Sequence, residues 1–329
     1  MRGVNGVIVL LSLSSYWQVA SGYVDVFSHS FIFKAVDPAL NPAHLSLYAA
    51  SLVGFCMVYL GLRGGDDCGG KRIVRPGMLV ALVGSGGEIV SGAVNELYHR
   101  IFANTPITVP AHLAIHGLFV VSMFLVTVGA IVSVALLQSS ITDGARQRYA
   151  STSFGILISS AWMLLIGSAS YLAAISGADR GGLYFLIAGS FLASALSVSA
   201  LLLADRFGFV TLAVLSFFLF NAGLLYGFER NLYLLPVPVL SAATGEALAR
   251  RLRILGKPLF SAVSGAVFGI LSYWLLYPYS YSFFGFENFP TAYFGINAPA
   301  ILTSGVAGGA LAFLILRGAA NILASRFGS

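Results

Sequence analysis

"HLAIHGLFVVSMFLVTVGAIVSVALL" occupies residues 112–137 and contains no Asp, Glu, Lys, Arg or Pro. A helix rising 1.5 Å per residue needs about 20 apolar residues to cross roughly 30 Å of hydrocarbon. The stretch therefore reads as a membrane span. Working outward from it, similar runs occur at 4–26, 44–62, 76–98, 151–176, 183–203, 208–227, 231–249, 258–279 and 298–316, which makes ten. Composition agrees: 58% of the 329 residues are hydrophobic and 9% charged, where a soluble domain carries about 25% charge. The 37 glycines suit close helix packing in lipid. The fold class expected is all-α: a polytopic integral membrane protein of about ten transmembrane helices, embedded in the lipid bilayer of the cell membrane.

Two runs need argument. The first resembles a cleavable signal peptide, but its apolar stretch continues past Trp17 to Val26 and leads straight into polar residues, so it reads as a retained span. The eighth, 231–249, holds two prolines and Glu246. Charge decides it. Basic residues gather in "RGGDDCGGKRIVR" (63–75), "TDGARQR" (142–148), "ADR" (204–206) and "RRLRILGK" (250–257). Cytoplasmic loops attract Lys and Arg. All four share one side only if 231–249 crosses, which places both termini in the cytoplasm. The net charge of +6 is then a topology signal rather than a nucleic-acid surface. Cys56 lies in a span and Cys68 in a loop, with neither metal spacing nor a disulfide expected between them.

An internal repeat carries the chemistry. "QVASGYVDVFSH" (18–29) aligns with "EIVSGAVNELYH" (88–99), and "NPAHLSLY" (41–48) with "VPAHLAIH" (109–116). Ser, Gly, Val and His recur in the first pair, and Pro-Ala-His-Leu recurs unchanged in the second. Gln18 aligns with Glu88, and Asp25 with Asn95. Each unit is helix, short outer loop, helix, so residues 1–140 read as a duplicated four-helix unit and 141–329 as a six-helix unit without a copy.

Asp25 and His29 share a helix face four residues apart, as do Asn95 and His99. Each Pro-Ala-His opens the following span, with proline at a natural helix start. His44 is thereby returned toward Asp25 and His29, and His112 toward Asn95 and His99. All five histidines fall in these segments, His116 being one turn beyond His112. Imidazole with carboxylate or amide oxygen suits copper, and also zinc or iron. Glu88, two turns below Asn95 on the same stripe, is a candidate catalytic proton donor. Any one of these residues alone is accounted for by solvation at the interface or by packing. Their repetition in one arrangement points to ligands. In the second half, the aromatic segment "YPYSYSFFGFENFPTAYFG" (277–295) reads as an outer interfacial belt or lid.

Asp-x3-His then Pro-x-His, followed by Asn-x3-His then Pro-x-His, resembles the C subunit of the copper membrane monooxygenases, the particulate methane and ammonia monooxygenases. The resemblance covers about residues 15–125. It implies one copper site at Asp25, His29 and His44 and a neighbouring one at Asn95, His99 and His112. It also implies partner membrane subunits for oxygenase activity on a small apolar or amine-like substrate. The intervals between paired histidines differ slightly from the family's, and 150–329 has no counterpart in that subunit. Two other functions fit the same residues: copper handling without oxygenase chemistry, and an ion- or proton-coupled transporter using the polar groups as a relay. A homo-oligomer is compatible with each.

Overall fold

A computed structural model describes residues 2–27, 42–63, 69–102, 110–140, 152–158, 160–161, 164, 178–203, 207–215, 236–284 and 291–327. No strand occurs among them. The principal helices are α1 (Arg2–Phe27), α2 (Pro42–Arg63), α3 (Gly69–Ile101), α4 (Pro110–Ser140), α5 (Ala178–Leu203), α6 (Pro236–Arg251), α7 (Lys257–Phe284) and α8 (Thr291–Phe327). Among the described residues, five segments are long and apolar enough to cross a membrane: Gly6–Asp25, Pro42–Arg63, Val74–Ile101, Ala114–Leu137 and Asn297–Gly318. Leu186–Leu202 and Lys257–Ser272 are shorter apolar stretches. Most of 151–176 and 216–235, and all of loop 142–148, lie outside the described residues.

The chain divides into two units, Met1–Leu164 and Leu165–Ser329. In the first, α1 packs on α2, α2 on α3, α3 on α4, and α4 returns to α1, closing a four-helix ring. Polar clasps set its register. Ser21 Oγ meets Ser46 Oγ at 2.8 Å, Ser14 Oγ donates to Ala50 O at 2.8 Å, and Ser15 Oγ meets Thr127 Oγ1 at 2.8 Å. The α3–α4 contact is close enough to need glycine: a Cβ on Gly84 would lie 2.6 Å from the Val126 nitrogen.

The ring is polar inside and apolar outside. Ser14, Ser15, Gln18, Ser51, Glu88, Ser91 and Asn95 are buried, while Leu10, Leu52, Val83, Val90, Leu97 and Val121 are exposed. Water favours the opposite arrangement. Lipid favours this one, since exposed apolar side chains cost nothing there and polar groups must find partners inside.

In the second unit, α5, α7 and α8 pack on one another and α6 packs on α7. Gly265 and Gly269 of α7 cross Gly305 and Gly309 of α8. The hydroxyls of Ser190, Ser194 and Ser304 donate across helices to Ile301 O, Gly265 O and Ile187 O.

Helices run longer than the spans read from sequence. The basic segment 69–75 is helical and continues through Pro76, which lies two turns inside α3 and forfeits one backbone bond there. Of the aromatic segment 277–295, residues 277–284 extend α7 and 291–295 begin α8, so much of the expected loop is helix.

Candidate functional site

Three helix ends bring the chemistry together. Pro42 starts α2, which places His44 in its first turn. Asp25 lies in the last turn of α1, and His99 in the last turn of α3. Consecutive helices of the ring run antiparallel, so these three ends share one end of the unit. His44 Nε2 stands 3.0 Å from Asp25 Oδ1. The His44 and His99 rings have centroids 5.7 Å apart, and the Tyr48 ring is 6.0 Å from His44. All three candidates are buried: Asp25 is 7% exposed, His44 1% and His99 5%.

An imidazole nitrogen and a carboxylate oxygen at this distance need a proton or a cation between them. Donors at 2.0–2.2 Å from one ion lie roughly 3–3.5 Å from each other, and two imidazoles on one ion put their centroids about 5–6 Å apart. The Asp25–His44 and His44–His99 spacings therefore suit ligands converging on an ion. Among the described residues, however, no three or more His, Cys, Asp or Glu side chains form a group that could hold a metal ion, so Asp25, His44 and His99 are not by themselves such a site.

The remaining expected ligands fall partly outside the described residues. His29 does so entirely. His112 belongs to α4, but its side chain lies outside them. Backbone register still places position 112. Gly84 meets Val126 and Gly87 meets Ser122 across α3–α4, and continuing that antiparallel register sets 112 level with 99. Asn95 is buried one turn before His99, with Oδ1 taking no hydrogen bond among the described residues. Asp25 and His44 of the first expected trio thus lie beside His99 of the second.

A second polar level lies deeper. Glu88 is 1% exposed and has no charged partner among the described residues. The hydroxyl beside it, Ser51 of α2, donates to Leu47 O in its own helix at 3.0 Å. From the other side of α2, Gln18 donates through Nε2 to Ala50 O at 3.3 Å, while its Oε1 is buried without a partner among the described residues. Gln18 and Glu88, aligned in the repeat, therefore flank α2 at one depth.

Two further residues take defined places beside or apart from the site. Tyr48 lies between the two levels, against His44 and close to Gly92 of α3; its position four residues after His44 was the available signal. Glu246 proves structural. Its carboxylate accepts from Val210 N at 2.9 Å, from Gly208 N and Thr211 N, and from Thr211 Oγ1, capping the helix at 209–215. No family model, curated protein or solved structure matches the chain.

Proposed function

We propose that the chain is a metal-binding, multi-pass membrane protein that holds copper at the end of its N-terminal four-helix unit. The observation that carries this reading is the buried approach of His44 to Asp25 and to His99 where three helix ends meet, each pair at a distance that two ligands of an ion could have. The donor chemistry also admits zinc or iron. His29 and Asp25 would complete a charged site with His44, and Asn95 and His112 a neutral one with His99.

The reading extends to ten spans with both termini cytoplasmic and to two copies of a helical hairpin, supported by the sequence repeat and the charge of the loops. Copper, when bound, would supply redox chemistry toward oxygen. The chain's own residues would supply the rest: Asp25 fixes the orientation of the His44 ring and offsets cationic charge, and Glu88 holds a proton beneath the site. Such a chain would act as a monooxygenase subunit with partner membrane subunits, or as a copper-handling protein. An ion- or proton-coupled transporter is the second reading, favoured by the buried Glu88 carboxyl and Gln18 amide inside the ring.

Metal analysis of protein purified with copper and zinc supplied separates the readings. About one or two equivalents per chain are expected, and His44→Ala should remove at least one. Wild-type protein free of both metals would hand the site to the transporter reading.

A further inference from the structure

Glu88 is mid-helix on α3, inside the Val74–Ile101 span, with the Ser51 hydroxyl beside its carboxyl and no charged partner among the described residues. An ionised carboxylate left in such surroundings is unfavourable by several kcal/mol. Its charge must be removed by a proton or balanced by a cation. Among the described residues, the helices packed on α3 offer no basic side chain at its level. On α2 the stripe facing it holds Ser51, then Tyr48 and His44 toward the helix end, while Arg63 lies at the opposite end. On α4 the described span Ala114–Leu137 contains no Asp, Glu, Lys or Arg, and its titratable group, His116, sits near the outer end. On α3 itself, Glu96 pairs with Arg100 at 3.7 Å and Arg75 lies more than three turns away.

The stripe also has a direction. Ser51, Tyr48 and His44 are successive turns on one face of α2. They lead from Glu88 to the Asp25–His44 contact, about 10–16 Å along the helix axes by rise per residue. Every member carries an exchangeable proton. Where the wall is tightest, a Cβ on Gly92 would lie 2.9 Å from Tyr48 Cε1, so the Tyr48 ring is held against α3 between the two levels.

We propose that Glu88 is a proton-carrying site, exchanging its proton with the Asp25–His44–His99 cluster along Ser51 and Tyr48. This deepens the metal reading by giving the cluster a proton store on its inner side, and it names the proton, not a metal, as the ligand of Glu88.

The test is modification by a hydrophobic carbodiimide, which reacts with protonated carboxyls inside membranes and leaves an N-acylurea adduct detectable by peptide mass. In detergent-purified full-length protein, Glu88 should be labelled, E88Q should lose that adduct, and labelling should fall as pH rises. Zn2+ added to wild-type protein should change the labelling rate at least twofold, and Tyr48→Phe should weaken that response while leaving Zn2+ binding intact. Absence of label on Glu88 in protein that binds Zn2+ overturns this proposal and leaves the metal site standing. Label on Glu88 in protein that binds no metal keeps the proton site and removes the metal reading. Labelling insensitive to pH also overturns it.

Discussion

At the scale of single residues, two buried carboxylates of this chain solve the same problem differently. Asp25 meets an imidazole, whereas Glu246 meets the start of a helix. Four donors from 208–211 converge on Glu246, and the positive end of the helix dipole adds to them. Glu246→Ala leaves those donors unsatisfied, which costs about 1–3 kcal/mol. Glu246→Gln keeps one acceptor and should cost less. Thermal unfolding in detergent should rank wild type above Gln and Gln above Ala, with metal content unchanged; an Ala variant as stable as wild type removes the capping role. At the other carboxylate, Asp25→Asn keeps shape but removes charge. It should weaken copper retention roughly tenfold in a competition with a chelator, because the first site then carries no anion among its expected ligands. Equal retention would mean that Asp25 positions His44 without touching the ion.

Helices show what the sequence could and could not disclose. Asp25, His44 and His99 were legible because helix periodicity puts Asp-x3-His on one face and proline fixes a helix start. The sharing of His44 between Asp25 and His99 was not, because a one-dimensional repeat says nothing about which helices lie side by side. Helix ends were misjudged at Pro76 and Pro299, both now inside helices, since proline is tolerated where neighbouring helices compensate for its lost bond. The close crossing of α7 and α8 was announced only by glycine spacing. A Cβ on Gly305 would lie 2.6 Å from Gly265 O and 2.7 Å from Gly269 Cα. Backbone cannot yield there as a flexible side chain would, so Gly305→Val must push the helices apart. Overpacking of this kind costs about 1–3 kcal/mol or more, and the Ser194–Gly265 bond at 2.8 Å should be strained with it. The variant is expected to unfold several degrees lower in its second unit, whereas Gly256→Ala, with open space around it, should match wild type.

For the whole molecule, the decisive question is on which side the basic segments lie. α6 and α7 form an antiparallel hairpin, Gly245 lying against Phe268 and the turn passing through Leu252–Ile254. The segment 250–257 is therefore the tip of that hairpin, and Ile254 there is 91% exposed. α6 itself, Pro236–Arg251, is 16 residues long, or about 24 Å by helix rise, short of the roughly 30 Å hydrocarbon layer. It crosses only if the chain just before Pro236 contributes further length. Charge favours the crossing, since Arg250, Arg251, Arg253 and Lys257 would otherwise lie opposite Lys71, Arg72 and Arg75. With Cys56 and Cys68 replaced by serine, single cysteines at Lys71 and Lys257 can be probed with an impermeant maleimide on sealed vesicles of known orientation. Ten spans require both to react from the cytoplasmic face alone. Reaction from opposite faces would reduce the span count to nine, leave α6 within one leaflet, and move the C-terminus to the outside.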